Sequence, residues 1–342
     1  MTITADADPG ALNAAATTDT STLPWRPFRV AVARLEPLSP SFLRITFTGD
    51  DLDQFGHDGP DQRIKLYIPR PGQGLPEFSL TDWYAQYRNS DPDTRGFIRT
   101  YTIRAVRPGR RELDVDFVLH DVHGTHAGPA DDGEISCPAA SWAAGARVGD
   151  ELVLIGPNRL YPADSGGYEW NPPVSARDII IAGDETAVPA IAGILERLCD
   201  SPHSDETPSA GRPRVRVFLE VPDAADALDL RAPAHAEITW LPRRREDGAS
   251  AANGQPLVDA VTSADFGTPR SASDDASAVD TVDIDLEVLW EVAAGATSSI
   301  YVWVAGEAGA VKAIRRHLVR ERGVDKGAVT FMGYWRLGRS LD

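Results

Sequence analysis

Cysteine is scarce. The 342 residues hold two, Cys137 and Cys199, far apart and in no Cys-x-x-Cys pair, which rules out an iron–sulfur cluster and a cysteine-rich zinc site. Both read as free thiols. Basic residues are also short, 34 against 51 acidic ones, for a net charge of −17. That balance argues against a general electrostatic grip on nucleic acid or an anionic membrane. An anionic ligand therefore needs a local basic patch. No apolar run is long enough to cross a membrane. The opening "MTITADADPGALNAAATTDTST" has neither the basic start nor the unbroken apolar core of a secretory signal. Residues 1–24 read as a disordered tail on a cytoplasmic protein.

The chain is long enough, and at 42% hydrophobic apolar enough, to build two domains. From residue 25 to about 160 it runs as short alternating strands: "FRVAVARLEPL", "FLRITFTG", "QRIKLYIPR", "IRTYTIRAV", "ELDVDFVLH" and "DELVLIGP". In the fifth, Leu113, Val115, Phe117 and Leu119 share one face and Glu112, Asp114 and Asp116 the other, as in a half-buried antiparallel strand. The preceding "RPGR" suits a type II turn with Pro108 and Gly109 at its centre. Six such strands predict a small closed barrel or sandwich.

Past the Gly- and Pro-containing stretch 161–173 the pattern changes. "DIIIAGDETAVPAIAGILERL" reads as an apolar strand, a glycine turn and a helix, with Thr186 as N-cap and Pro189 in the first turn. "IYVWVAGEAGAVKAIRRHLVRERG" repeats that logic, with Val311, Ile314 and Leu318 at helical spacing opposite Lys312, Arg315, Arg316 and Arg320. An Ala-Gly-acid turn thus follows two strands. Further strands at "VRVFLEV", "AEITWLP" and "AVTFMGYW" complete a β/α alternation over 174–342, the pattern of a parallel sheet covered by helices. Residues 246–287 interrupt it as an acidic, low-complexity surface insertion whose one helical piece is "PLVDAV".

Within "RTYTIR", alternation puts Arg99, Tyr101 and Ile103 on one face and Thr100, Thr102 and Arg104 on the other. Alone this is an ordinary edge strand. An Arg-x-Tyr-Thr barrel strand ahead of a parallel α/β domain resembles the ferredoxin-reductase class of flavoproteins. "FIRTYTIR", "ELDVDFVLH", "PAASWA", "GDELVLIGP", "AGDETAVPAI", "VWVAGEAGAVKAIRRHL" and "GYWRLG", in this order over residues 25 to 340, resemble the siderophore-interacting protein family of FAD-dependent ferric-siderophore reductases.

That resemblance implies a ferredoxin-reductase-like fold, an antiparallel β-barrel FAD domain followed by an α/β NAD(P)-binding-like domain. It implies that Arg99 holds FAD phosphate, Tyr101 packs on the isoalloxazine and Thr102 sits near its reactive edge, roles that suit a guanidinium fork, an aromatic face and a hydroxyl. Asp116, Val118 and His120 would run along the adenosine and pyrophosphate side, and a surface histidine remains an equal reading of His120. The phosphate loop has two candidates, "AGPA" at 127–130 and "CPAASWA" at 137–143. The second is favoured, with Ala139, Ala140 and Ser141 opening a helix toward the diphosphate. In the second domain Asp184, Glu185 and Thr186 lie at a strand's carboxyl end, where α/β sheets bind ligands, yet the acids would repel a dinucleotide pyrophosphate. Asp184, Thr186 and the terminal Trp335 are counted with the cofactor. Lys65, Arg243 and Arg244 match basic positions around the siderophore cleft; residues 243–245 also suit a nucleotide 2′-phosphate or a solvated charge run.

The expected function is reduction of ferric siderophores in the cytoplasm, with NADH, NADPH or reduced ferredoxin as donor. No protein metal ligand and no general acid or base is required. The rivals are a general flavin or ferredoxin-type reductase with a protein partner and a non-catalytic, FAD-containing siderophore-binding module.

Overall fold

A computed structural model describes residues 20–119, 137–200, 212–265, 290–293 and 298–338. The first sheet is built from β1 (Trp25–Pro37), β2 (Phe42–Thr48), β3 (Arg63–Ile68), β4 (Phe97–Thr102), β5 (Ala105–Arg107), β6 (Glu112–Val118) and β7 (Glu151–Pro157), with helices α1 (Trp83–Asn89) and α2 (Pro138–Gly145) between strands. Its order is β4-β3-β7-β1-β2-β6-β5 and every pairing is antiparallel. The two edges of this sheet are one stretch of chain. Ile103 N–H bonds Gln62 O, beside β3, and the next residue, Arg104, bonds Asp114 O on β6, both at 2.9 Å. One strand bent at residues 103–104 therefore closes the barrel, which is why "IRTYTIRAV" divides into β4 and β5. Alternation sends Ile45, Phe47, Ile64, Leu66, Leu113, Val115, Phe117, Leu152 and Leu154 into the interior.

The "RPGR" expectation fails in detail. Pro108–Arg110 forms a 3-10 turn, and Arg111, at φ 51°, takes the left-handed conformation instead of Gly109.

The second sheet holds β8 (Asp178–Gly183), β9 (Arg214–Val221), β10 (Ala236–Pro242), β11 (Trp290–Glu291), β12 (Ile300–Glu307) and β13 (Val329–Trp335), in the order β10-β9-β8-β12-β13-β11. All pairings are parallel except β11, which adds antiparallel to β13. α3 (Val188–Cys199) covers one face, while α4 (Gln255–Ser263) and α5 (Ala308–Arg315) cover the other. Pro189 stands in the first turn of α3 as expected, but Thr186 is not its cap. The "PLVDAV" helix is α4, and it is more than surface: Leu257 and Val261 are buried in the core. Arg315 also departs from the expected solvent face, since it is buried against Glu291 at 2.7 and 2.8 Å. Among the described residues no helix is long and apolar enough to cross a membrane.

The sheets meet along the outer face of β2 and β6. Phe42 and Val118 leave the barrel to join the core around Ile181 and Ile194. Arg104, which the sequence leaves without a partner, forms a two-pronged pair with Glu196 of α3 at 2.9 and 2.5 Å. Ser39 and Ser41 hydroxyls donate to Asp226.

Candidate functional site

Register decides what β4 presents. Leu66 lies opposite Arg99 and Ile64 opposite Tyr101, so both side chains project to the inner face with the barrel core; Lys65 lies opposite Thr100 and Arg63 opposite Thr102 on the outer face. The Tyr101 ring centroid is 4.7 Å from that of Phe117. Burial pushes the Tyr101 phenol's pKa up, against the pull of the Arg99 charge, so the hydroxyl stays protonated. Arg99 donates to Ile98 O at 2.8 Å.

On that inner side α2 begins. Trp142 stacks on Phe47 at 6.2 Å and lies 6.0 Å from Phe117, which pins the helix beside Tyr101. Ala139 and Ala140 are buried and Ser141 is exposed. Pro138 occupies the first turn and Cys137 supplies no side-chain cap. Ser141 N–H already bonds Cys137 O at 2.9 Å, so the Ala139 and Ala140 N–H groups are the ones in that turn that suit an anionic acceptor. Pro138, Ser141 and Trp142 also line a cleft of about 520 Å³ with Arg70, Phe97 and the 71–75 loop.

Two residues assigned to the cofactor by resemblance face elsewhere. Asp116 lies on the outer face of β6, where Arg44 grips its carboxylate at 2.7 and 2.8 Å, and Val118 packs into the second core. Their side chains are separated from Arg99 and Tyr101 by the period of the strand, and only their backbone can run beside a ligand on the inner face. His120 and the alternative loop at 127–130 lie outside the described residues.

Beyond Thr102 the outer face leads to the seam between sheets. The Arg63 guanidinium bonds Glu169 at 2.5 Å and lies 4.3 Å over Trp290, whose ring stacks on Tyr334 at 6.1 Å; Trp303 meets Tyr334 edge-on. Asp61 accepts from Glu169 N, Trp170 N and Trp303 Nε1 at 3.1–3.2 Å. Burial raises its pKa against those three donors. Arg63 Nε and the Tyr334 hydroxyl are buried without a hydrogen-bond partner, an arrangement that a polar ligand would relieve. Sequence reasoning passed over Asp61, Arg63 and Trp290, and no local signal marks them, because each acts on a partner distant in the chain.

At the carboxyl ends of the parallel strands the two Ala-Gly-acid turns meet. Asp184 Oδ1 accepts from Thr186 N at 2.9 Å and Thr186 Oγ1 at 2.5 Å, while Oδ2 accepts from Glu307 N and Trp335 Nε1, each at 2.7 Å. Asp184, not Thr186, is therefore the capping residue of this turn. Burial, then the neighbouring Glu185 charge, pushes its pKa up to about 7.

Arg243 needs a correction. It is 7% exposed, and its guanidinium bonds Glu185 at 2.6 and 2.7 Å and Glu220 at 3.0 Å. A guanidinium so engaged holds the sheet together and presents no charge to a ligand. Arg244 is exposed, with Asp223 at 3.3 Å. Lys65 donates to Thr100 Oγ1 at 3.3 Å, and burial and the Arg63 charge both lower its pKa.

Comparison with known proteins gives the family. Residues 31–161 match the siderophore-interacting FAD-binding domain and residues 176–338 the siderophore-interacting protein model. An uncharacterised protein of Mycobacterium tuberculosis is 32% identical, the match covering 93% of this chain and 92% of that one. The chain belongs to the siderophore-interacting protein family. Within that family it is similar to the ferric vibriobactin reductase ViuB of Vibrio cholerae, 29% identical over 90% of this chain and 88% of ViuB. It is also similar to the crystal structure of a siderophore utilization protein from T. fusca, with 28% identity, a TM-score of 0.63 and coverage of 94% and 97%. The architecture is ferredoxin-reductase-like, as the resemblance implies.

The residues fit FAD. An arginine and a half-buried tyrosine on one strand face stand beside a helix start that no described side chain caps, and a threonine on the opposite face borders a seam with two buried polar atoms that have no partner among the described residues.

Proposed function

We propose that this chain, an FAD-dependent oxidoreductase, reduces ferric siderophores in the cytoplasm with electrons from NAD(P)H or reduced ferredoxin. The observation that carries the reading is the convergence of Arg99, Tyr101 and the α2 N-terminus on one side of β4, in a chain whose two halves both match the siderophore-interacting family. The reading assigns residues 25–160 to FAD and 174–342 to the donor side. Bound FAD supplies the exchange between a two-electron donor and one-electron reduction of Fe(III).

The chain's own residues bind and orient. Arg99, the Ala139 and Ala140 backbone N–H groups and the exposed Ser141 hydroxyl take the diphosphate, Tyr101 supports the ring and the Thr102 hydroxyl bonds its edge. Lys65 and Arg244 remain as positive charges toward an anionic siderophore, and Arg243 is withdrawn from that set. The turn after β8 offers a nucleotide pyrophosphate little: Thr186 N and Ala187 N are already bonded to Asp184, and Glu185 is held by Arg243. A nicotinamide donor is thus held by other contacts. Cys137 and Cys199 are not joined in a disulfide, which suits a reducing compartment.

An anaerobic titration tests the reading. Purified protein is loaded with FAD, reduced in turn with NADH, NADPH and reduced ferredoxin, and then mixed with ferric siderophores. Reoxidation of the flavin with one Fe(II) formed per electron supports it. Flavin that no donor bleaches favours the binding module, and reoxidation only by an electron-carrier protein favours the general reductase.

A further inference from the structure

Three features of different kind converge on the indole of Trp335. The first is the Asp184 carboxylate, 2% exposed, whose two oxygens accept four hydrogen bonds, close to the capacity of an ionised carboxylate. One of these comes from Trp335 Nε1, the only donor an indole has. The second is Gly306, at φ 146°, where a Cβ would stand 2.6 Å from Asp184 Oδ2. Any side chain there would displace the carboxylate or the turn. The third is the register shift between β12 and β13: Gly306 pairs with Gly333, but Glu307 pairs with Trp335, so Tyr334 is the extra residue. Such a bulge re-aims the side chains on either side of it. Tyr334 enters the stack with Trp290 and Trp303, and Trp335 turns its N–H to Asp184. The stack continues through Arg63 to the register partner of Arg63, Thr102. The end of β13 therefore reaches the same seam as the end of β4.

We infer that Asp184 is a positioning residue, which fixes the Trp335 indole at the flavin site through the oxygen it shares between Trp335 Nε1–H and Glu307 N–H. The consequence for the flavin rests on the function proposed above, whereas the contact does not. Asp184→Asn keeps the shape but presents an amide N–H₂ to at least one of the four donors, so the indole loses its fixed partner. Trp335→Phe keeps an aromatic ring and removes the donor.

The test has two arms. In ¹⁵N-indole spectra the cross-peak missing from Trp335→Phe belongs to Trp335. It is expected to resist solvent exchange in the wild type and to move in Asp184→Asn more than the other indole peaks. A Trp335 peak that exchanges freely, or that ignores Asp184→Asn, overturns the inference, and the wild-type exchange measurement decides if Asp184→Asn does not fold. In the second arm, FAD fluorescence of the loaded protein is expected to rise about twofold or more in each single variant as indole quenching is lost, with no further rise in the double variant. Additive rises, or no rise in Asp184→Asn, overturn it. Folded protein that takes up no FAD defeats the proposed function instead and leaves the first arm to decide the contact.

Discussion

Arg99 and Arg104 sit on opposite faces of one stretch of chain, and their surroundings give them different work. Arg104 is committed to Glu196 across the seam; Arg99 projects to the inner face of β4 beside Tyr101. Hydrogen bonds to charged groups contribute about 1.5–3 kcal/mol. Arg99→Ala is therefore expected to weaken FAD binding roughly 10- to 100-fold, read by flavin fluorescence titration, with an unchanged circular dichroism spectrum. Asp184 makes a second prediction at this level. Its folded-state pKa of about 7 lies above the ordinary carboxylate value, so between about pH 4 and 7 the folded protein holds a proton that the unfolded chain has released, with the Thr186 hydroxyl turning from donor to acceptor to receive it. That contribution to stability is fully present below about pH 4 and is lost as pH rises through about 7. The melting temperature of the wild type is expected to fall relative to that of Asp184→Asn across that window, and parallel curves would refute it.

α4 owes its place to a carboxylate on another element. Glu220 of β9, fully buried, accepts from Gly254 N at 2.7 Å and Leu257 N at 3.0 Å at the start of the helix and also pairs with Arg243. Removing it strands two N–H groups and part of a guanidinium. Glu220→Ala is expected to cost about 3–5 kcal/mol in denaturant unfolding. The exposed pair of Arg214 with Glu237 makes the control: Arg214→Ala is expected to cost under about 1 kcal/mol. This contrast explains why "PLVDAV" was readable as a helix while its burial was not. The apolar spacing is local, but the cap comes from β9.

Taken as a whole, the molecule carries a net charge of −17, and under the proposed function an anionic ferric siderophore would approach against it. Raising salt from low to physiological ionic strength is expected to increase kcat/KM for an anionic ferric chelate by screening that repulsion. A decrease would mean that the local field of Lys65 and its neighbours dominates. The two sheets also share a core, because Phe42 of the barrel is buried with Ile181 and Ile194 of the second sheet. Phe42→Ala is expected to cost about 3–5 kcal/mol and to broaden or split a single calorimetric transition, since it loosens the join as well as the barrel.

Alternation and composition were enough to set out a strand-rich first half, a β/α second half and the facing of Arg99, Tyr101, Thr102 and Arg104, because a strand's period of two and a helix's spacing are properties of neighbouring residues. Family resemblance added FAD and the siderophore. What neighbouring residues cannot carry is the partner of a charge. Arg243 and Arg244 are adjacent and alike in sequence, yet one is buried between Glu185 and Glu220 and the other is exposed. Asp116 reads as a residue along the cofactor, and only the fold shows that its carboxylate is taken by Arg44. The two Ala-Gly-acid turns look like a repeated motif until β8 and β12 lie side by side and one acid takes the backbone of the other and the indole of Trp335. Those outcomes rest on strand order and register, which join residues from 23 to 151 positions apart, and only the folded chain fixes them.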